Sequence, residues 1–314
     1  MPIIVITGVS SFVGRELALH FKSLGHEVFG TTSKNQNAYT GIQKIRLGNL
    51  IKNKISLHQL DLEKPSQIKS TIHKLKPDYW INHAAWTAQA SSMDFNIEKA
   101  ATSSVFALDT IFSTLKEIQC KGIIITGSNA EYPNQEGELN ENIWGPPPSP
   151  YGLSKLATTM QANILSQYYS LPCFVMRLFN PIGKFDNPKK LIPSVITHFN
   201  QQKPIDLSAC NQQRDFTAVS NVTSAYEAAI SNIEAIGSFE IFNVCEGKPT
   251  ILKELLLRFC EDNIALKELL NFNALNQRMN EPHINYGNND KAVNLLNWYP
   301  VDKINFKELL KHYV

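Results

Sequence analysis

The first half of the chain alternates short apolar runs with longer amphipathic segments. The short runs are rich in β-branched and aromatic side chains, which is typical of buried strands. They lie at Ile3–Thr7, Glu27–Thr31, Ser56–Leu60, Tyr79–His83, Gly122–Thr126 and Cys173–Leu178. Segments with helical periodicity lie between them, at Phe12–Leu24, Ser66–Leu75, Ile97–Glu117 and Tyr151–Tyr168. Strands that alternate with helices predict an α/β fold, with a parallel sheet covered by helices on both faces.

The pattern changes after Asn180, where the elements become shorter and Pro and Gly punctuate them. We expect residues 1–179 to form a first domain and residues 180–314 to form mainly a second, smaller lobe. Segments near 215–245 and 284–297 are expected to return to the first domain. The polar stretch Ser33–Lys54 predicts a surface loop with a short strand or helix.

Composition excludes several classes of function. The 314 residues carry a net charge of +2 and a pI near 8.2, with both signs dispersed, which argues against nucleic acid or an anionic membrane as partner. The five cysteines are far apart and have neither CxxC nor metal-ligand spacing, so we expect small buried side chains and no metal site. The chain opens on an apolar strand and has no apolar run near the ~18 residues of a membrane span. We therefore expect a cytoplasmic protein without membrane insertion.

The stretch TGVSSFVG, Thr7 to Gly14, joins the first predicted strand to the first predicted helix. Glycine at such a turn lets the backbone approach a diphosphate, whose charge is met by the N–H groups of the helix N-terminus. Gly8 and Gly14 have the spacing of a dinucleotide loop, but the middle position is Ser11, whose hydroxyl can itself bond a phosphate oxygen. Taken alone, the stretch fits a tight turn without a ligand equally well.

A second motif, SPYGLSK at 149–155, places Tyr151 and Lys155 on one face of a helix. The lysine can hold a cofactor ribose and lower the pKa of the tyrosine. A phenol so placed can give a proton to a carbonyl oxygen or take one from an alcohol. Such a pair alone is usually a solvated helix face. Combined with the Gly8–Gly14 loop and with Ser128 at the end of a strand, it indicates a site for hydride transfer.

These motifs resemble the extended short-chain dehydrogenase/reductase superfamily over nearly the whole chain. The resemblance implies a Rossmann-like doubly wound parallel sheet with a smaller C-terminal α/β lobe for the substrate. It implies Ser128, Tyr151 and Lys155 as the catalytic residues. The residues that it implies for the cofactor are Gly8, Ser10, Ser11, Phe12, Val13, Gly14, Thr32, Ser33, Lys34, Asp61, Leu62, Ala84, Ala85, Tyr151 and Lys155.

Later motifs resemble enzymes that act on nucleotide sugars. They are Arg177 to Pro181 followed by Gly183, then Arg214 to Phe216, and a closing signature that ends at Trp298 and Pro300. The implied substrate is a nucleoside-diphosphate sugar, and arginine suits its diphosphate because the planar guanidinium can bond two oxygens. The substrate residues implied are Asn129, Asn180, Lys190, Leu191, Arg214 and Arg278. The resemblance also implies a homodimer, formed by the helices predicted at Ile97–Glu117 and Tyr151–Tyr168.

The residues at the two positions after Ser128 limit which reactions the site can catalyse. Within the resemblance, sugar-nucleotide dehydratases have a glutamate at the second position, and the epimerase-reductases that make GDP-fucose have a cysteine there. This chain has Ala130 there, after Asn129. Glu131 comes one residue late, and on an extended strand that shift turns a side chain to the opposite face. We therefore expect Glu131 to be a surface or cap residue and Asn129 to lie near the substrate.

The choice of cofactor is predicted from the end of the second strand. A carboxylate there would accept from a ribose 2′-OH and repel a 2′-phosphate. The stretch GTTSK, Gly30–Lys34, has no carboxylate, and Thr32, Ser33 and Lys34 can bond a 2′-phosphate. The sequence therefore favours NADP(H) over NAD(H).

Three functions fit these residues. The favoured one is an NAD(P)H-dependent reductase of a nucleoside-diphosphate 4-keto-6-deoxy sugar, with Tyr151 as general acid, because elimination residues are absent and the cofactor loop suits NADP. The alternative is a nucleotide-sugar 4-epimerase of the UDP-glucose type, which would use the same residues with a tightly held NAD. A cofactor-binding regulatory protein without activity is disfavoured by the intact set of Ser128, Tyr151 and Lys155.

Overall fold

The computed structural model describes residues 1–260, 263–276 and 282–311. The strands are β1 Ile3–Ile6, β2 Glu27–Thr32, β3 Ser56–Gln59, β4 Tyr79–Asn82, β5 Gly122–Ser128, β6 Gly137–Leu139, β7 Cys173–Leu178, β8 Pro181–Ile182, β9 Ile205–Asp206, β10 Gln213–Arg214, β11 Thr217–Ala218, β12 Phe239–Val244, β13 Thr250–Ile251, β14 Leu270–Asn271 and β15 Ile284–Gly287. The helices are α1 Phe12–Ser23, α2 Gly41–Lys52, α3 Pro65–Leu75, α4 Ile97–Ala100, α5 Ala107–Glu117, α6 Pro150–Tyr169, α7 Leu191–Asn200, α8 Val219–Ile236, α9 Leu252–Arg258, α10 Ile264–Glu268, α11 Asp290–Leu296 and α12 Phe306–Leu310. A π-helical segment, Ala101–Phe106, joins α4 to α5, and 3₁₀ turns lie at Gln36–Ala38 and Asn129–Glu131.

Seven strands of the described residues form one sheet, in the order β12-β7-β5-β4-β1-β2-β3. Every neighbouring pair in it is parallel. Helices α1, α2, α8 and α11 pack in the core on one face, and α3, α5 and α6 pack in the core on the other. The predicted α/β class, with a doubly wound Rossmann-like sheet, is confirmed.

The strand order reverses between β1 and β4. From β1 the chain runs outward through β2 to β3, returns to β4 on the other side of β1, and continues outward to β5, β7 and β12. The connections that follow β1 and β4 leave the sheet on opposite faces and open a crevice at the carboxyl ends of the strands. Ligands of open parallel sheets bind in such a crevice.

The C-terminal part of the chain contributes both to the main sheet and its core and to smaller units outside them. It supplies β12 to the edge of the main sheet beside β7, and α8 and α11 to the core on one face. A second sheet has the order β13-β10-β15-β6, so the segment near 284–297 is divided between that sheet and the main core. Residues of α7, α9 and α10 form a separate apolar core. The domain limits at 179 and 180 stay a prediction.

The extent of helix differs from the prediction in two places. The stretch 33–54 contains a 12-residue helix, α2, whose Leu47 and Leu50 are buried in the main core. Its asparagine, glycine and lysine residues weaken the amphipathic pattern, so the sequence predicted only a short strand or helix in this stretch. The helix expected at Ile97–Glu117 is interrupted by the π-helical segment.

All five cysteines are buried as free thiols, in keeping with the small buried side chains expected from the sequence. Among the helices of residues 1–260, 263–276 and 282–311, none combines the length and apolar character needed to cross a membrane.

Candidate active site

The loop after β1 forms a cradle whose shape requires glycine. Gly8 has a φ of +72°, and a Cβ on it would lie 2.8 Å from the Cα of Ala84. A Cβ on Gly14 would lie 2.6 Å from the carbonyl oxygen of Gly8. The predicted residue Ser11 is the N-cap of α1, and its Oγ accepts from the Gly14 N–H at 3.0 Å. The open loop and the N–H groups of the first turn therefore fit the diphosphate of a dinucleotide.

The other predicted loop residues hold the cradle in place. The side chains of Phe12 and Val13 are buried in the main core, so only their backbone groups can face a ligand. The carbonyl of Ser10 accepts from Nη1 of Arg46 at 2.9 Å. Arg46 lies on α2, so this helix supports the loop.

The turn after β2 differs from its sequence prediction at one residue. Thr32 is buried, and its hydroxyl donates to the Lys34 carbonyl at 2.9 Å. Thr32 therefore stabilises the turn and does not join Ser33 and Lys34 at the surface, which corrects the expectation that all three face a 2′-phosphate. Ser33 and Lys34 are exposed, and the Ser33 Oγ lies 3.3 Å from the Tyr39 hydroxyl.

Two further predicted pairs lie at the same edge of the sheet. The Leu60 N–H donates to the Thr32 carbonyl at 2.9 Å, which brings the following Asp61 and Leu62 beside the turn after β2. Leu62 is buried, and Asp61 is half-buried. Ala84 and Ala85 are half-buried after β4, and the Ala84 N–H donates to Oγ1 of Thr7 at 2.9 Å.

The three predicted catalytic residues come together beside β5. Ser149 caps α6, so Tyr151 lies in the first turn and Lys155 one turn later on the same face. Nζ of Lys155 donates to the Thr126 carbonyl at 2.8 Å. Ser128 lies at the end of β5, where its side chain lowers the pKa of the Tyr151 phenol.

Burial is the largest influence on the pKa values of Tyr151 and Lys155. It raises the pKa of Tyr151 to about 12, against the hydrogen bond from Ser128, which lowers it. Lys155 is not among the groups that shift this pKa, so the expectation that it makes the phenol more acidic stays a prediction. Burial also lowers the pKa of Lys155 to about 8, against the charge of Glu131, which raises it. At neutral pH the phenol holds its proton and is ready to donate it.

Glu131 is buried, which corrects the expectation of a surface residue and leaves its role as a cap. The chain leaves β5 in a 3₁₀ turn at Asn129–Glu131, so the side chain does not follow the alternation of a strand. One carboxylate oxygen accepts from the Ser128 N–H at 2.8 Å, and the other accepts from the Thr159 hydroxyl at 2.8 Å and from Nε of Arg177 at 2.9 Å. Both oxygens are thus held by the protein.

A cavity of about 530 Å³ collects four of the predicted substrate residues, Asn180, Lys190, Leu191 and Arg214. Asn180, which lines the cavity, comes two residues after Leu178, the register partner of Ser128 in the main sheet. Nδ2 of Asn180 donates to the Asp215 carbonyl at 2.7 Å, and Nζ of Lys190 lies 3.1 Å from a carboxylate oxygen of Asp186.

The two remaining substrate predictions fall elsewhere. Asn129 is half-buried beside Ser128, with its Oδ1 3.5 Å from the serine Oγ. Arg278 lies outside the described residues.

The model of the NAD dependent epimerase/dehydratase family matches residues 4–245 of the chain. The chain belongs to this family. It is an enzyme of the extended short-chain dehydrogenase/reductase type, as its sequence predicted.

Several known proteins resemble the chain at low identity. It is 24% identical over 303 residues to an uncharacterized UDP-glucose epimerase of Bacillus subtilis, YtcB. This match covers 96% of this chain and 94% of that protein. It is 26% identical over 203 residues to dTDP-4-dehydro-6-deoxyglucose reductase of Escherichia coli, or 62% of this chain and 63% of that protein. The crystal structure of UDP-glucose-4-epimerase from Stenotrophomonas maltophila, with bound NAD and formylated UDP-arabinopyranose, superposes with a TM-score of 0.84 at 16% identity, over 100% of this chain and 96% of that one.

Several residues at the site had no sequence signal. Gln212 and Asn276 line the cavity from segments between the motifs. The pair of Glu131 and Arg177 joins the turn after β5 to the neighbouring strand β7, and the two residues are 46 positions apart in the chain. Only the parallel pairing of β5 with β7, which the strand pattern leaves open, would have predicted that contact.

Proposed function

We propose that this enzyme is a reductase of a nucleoside-diphosphate 4-keto-6-deoxy sugar. The observation that carries the proposal is the half-buried Tyr151, whose raised pKa keeps the phenol protonated at neutral pH, on the same helix face as Lys155 and next to Ser128. Reduction of a ketone needs a proton donor of this kind at the carbonyl oxygen. When bound, NADPH supplies the hydride for the carbonyl carbon, while Tyr151 gives the oxygen its proton and Ser128 orients that oxygen.

The neighbours of Ser128 support plain reduction over elimination. Asn129 and Ala130 have no ionisable side chain, and Glu131 uses both carboxylate oxygens within the protein. Elimination of water needs a second group that moves a proton. Tyr151 is thus the donor best placed for the reaction.

The residues present fit a dinucleotide, and they favour NADP(H) over NAD(H). The loop from Gly8 to Gly14 would hold the diphosphate, and Lys155 the ribose near the reacting carbonyl. Ser33 and Lys34 are exposed after β2, with no carboxylate in the stretch Gly30–Lys34. A hydroxyl and an ammonium group there suit a 2′-phosphate.

The cavity beyond Asn180 supports a nucleoside diphosphate as the handle of the substrate. Arg214 and Lys190 line it together with apolar side chains such as Leu191 and Phe216. The cations suit a diphosphate, and the apolar surface suits a base. The predicted contact of Arg278 with the diphosphate belongs to this proposal.

The function can be tested by a screen of UDP-, GDP-, CDP- and dTDP-linked 4-keto-6-deoxy sugars. The loss of NADPH absorbance reports reduction of each sugar. We expect one nucleotide series to be reduced with one NADPH consumed per sugar. Arg214→Ala is expected to raise the KM for that sugar about 10-fold or more, since a charge-assisted hydrogen bond contributes ~1.5–3 kcal/mol. NADPH binding should stay unchanged in that variant. No consumption with any of the sugars would contradict the proposal.

A 4-epimerase is the second candidate, because the similarity to YtcB of Bacillus subtilis covers 94% of that protein, whose name is a UDP-glucose epimerase. An epimerase of this type keeps its dinucleotide through each turnover, whereas a reductase must exchange it. Gel filtration of the purified protein, followed by the absorbance of the protein peak, separates the two. Stoichiometric dinucleotide that stays bound would favour the epimerase.

We further propose a homodimer formed through α6 and the segment from α4 to α5. The outer face of α6 exposes a stripe of large apolar residues, Leu153, Met160, Ile164 and Tyr168. Phe106, in the neighbouring π-helical segment, is 70% exposed. A contiguous apolar face of this kind favours burial against a second copy.

A further inference from the structure

A row of hydrogen bonds runs beneath the dinucleotide loop, across the end of the sheet. Oγ of Ser11 lies 2.8 Å from Nε2 of His83, and Nδ1 of His83 lies 2.9 Å from Oγ1 of Thr126. Oγ1 of Thr126 lies 2.6 Å from the hydroxyl of Tyr226. The four residues come from the loop after β1, the loop after β4, β5 and α8, and they meet because β4 lies between β1 and β5.

The direction of these bonds follows from the buried end of the row. Tyr226 is fully buried, and in the described part of the chain its hydroxyl is hydrogen-bonded to Thr126. A buried phenol that accepted from Thr126 would leave its own proton without an acceptor. Tyr226 therefore donates to Thr126, and Thr126 donates in turn to Nδ1 of His83.

His83 then has one possible tautomer. Burial lowers the pKa of His83 to about 3, and the charge of Lys155 lowers it further. The imidazole is thus neutral and carries a single proton. Because Nδ1 accepts from Thr126, the proton is on Nε2, which donates to Oγ of Ser11.

The consequence appears at the hydroxyl of Ser11. Its oxygen accepts from the Gly14 N–H at 3.0 Å and from Nε2 of His83 at 2.8 Å. A serine oxygen has two acceptor sites, so both are used within the protein. The hydroxyl proton is left to donate out of the row, into the cradle of the loop.

We propose that His83 is a positioning residue, which holds the Ser11 hydroxyl as a donor to the diphosphate of the dinucleotide. The proposal rests on the proposed function only in that the loop binds a dinucleotide. A hydroxyl held in this direction meets an anionic oxygen with its proton, and its lone pairs are turned away. Tyr226 acts through Thr126 and His83, far from any contact with the ligand.

The tautomer can be measured on the protein without a ligand. In ¹⁵N NMR of protein labelled at histidine, His83 is assigned by its loss in His83→Gln. We expect its Nε2 to have the shift of a protonated ring nitrogen and its Nδ1 that of an acceptor. The opposite tautomer, or a charged ring at pH 7, would overturn the proposal whatever the activity of the enzyme.

Binding of NADPH to variants tests the role. Ser11→Ala and His83→Phe are each expected to raise the Kd about 10-fold, since each removes the same oriented hydrogen bond to a charged oxygen. The double variant should bind no more weakly than either single one. His83→Gln, whose amide can still donate to Ser11, should recover most of the affinity. Fully additive losses would contradict the coupling of the two residues.

A variant at a different residue makes the test independent of how substitutions at His83 affect folding. Tyr226→Phe frees Thr126 to turn and should raise the Kd for NADPH about 3-fold, with a mixture of His83 tautomers. The matched control is Tyr79→Phe, which removes a buried hydroxyl bonded to Glu234 outside the row. Equal Kd values for the two variants would count against the proposal. If the wild type binds no dinucleotide at all, the proposed function fails too, whereas a wrong tautomer overturns this inference alone.

Discussion

At the scale of single residues, a buried carboxylate decides how Ser128, the proposed catalytic serine, is held. Glu131 accepts from the Ser128 N–H and is itself bonded to Arg177 and Thr159. Both side chains of the ion pair are almost fully buried, so removing the charge of one leaves the other without compensation. The pair therefore couples the fold to the geometry of the site.

We predict that Glu131→Gln lowers the free energy of unfolding by about 3 kcal/mol, the range for breaking a buried pair. The turnover number should fall about 10-fold, because the turn that carries Ser128 loosens. Denaturant unfolding and steady-state kinetics measure the two effects. Glu138→Gln, at an exposed glutamate on β6, is the control and should change neither.

The pH dependence of kcat/KM distinguishes the roles of Tyr151 and Lys155. The acid form of Tyr151 persists until pH approaches about 12, whereas Lys155, whose pKa is lowered to about 8, loses its charge as pH rises through that value. If the charged lysine is required, reduction should be constant from pH 6 to about 7.5 and then fall with a single ionisation near 8. A profile that stays flat to pH 10 would exclude Lys155 as the controlling group.

At the scale of elements, strand and helix periods predicted the sheet well but the connections poorly. The apolar runs of β1, β4, β5 and β7 are buried on both faces, so their pattern is strong. The 3₁₀ turn that buries Glu131 and the helix α2 depend on contacts distant in sequence, with Arg177 and with the main core. The trio of Ser128, Tyr151 and Lys155 was predictable by resemblance, whereas the partners of His83 were not.

The turn after β2 makes a prediction about cofactor choice. Ser33→Asp places a carboxylate where a 2′-phosphate is proposed to bind. The variant should therefore bind NADPH about 10-fold more weakly than the wild type does, and NADH about as well as the wild type does. Isothermal titration of both cofactors measures the change. Gln36→Glu adds the same charge at an exposed position three residues later and should leave the preference unaltered. A wild type that already prefers NADH would refute the assignment.

At the scale of the whole molecule, the exposed apolar stripe of α6 bears on assembly. Ile164 is 61% exposed and Met160 is 54% exposed, which is costly for an isolated chain in water. Ile164→Lys should therefore convert a dimer to a monomer that keeps its secondary structure.

Analytical ultracentrifugation at several protein concentrations measures this change. The control is Ile51→Lys, at a residue 52% exposed on α2, which should remain a dimer. A wild type that sediments as a monomer at all concentrations would contradict the proposed assembly.

The transfer of a hydride from the cofactor to the sugar tests the central claim most directly. The wild type and Tyr151→Phe would be incubated with the accepted 4-keto-6-deoxy sugar and NADPH deuterated at either face of carbon 4, and the products examined by mass spectrometry and NMR. We predict one deuterium at carbon 4 of the product from one of the two faces, one NADP⁺ formed per sugar, and a rate at least ~10²-fold lower in Tyr151→Phe. Interconversion of two nucleotide sugars without deuterium and without net oxidation of NADPH would contradict the claim.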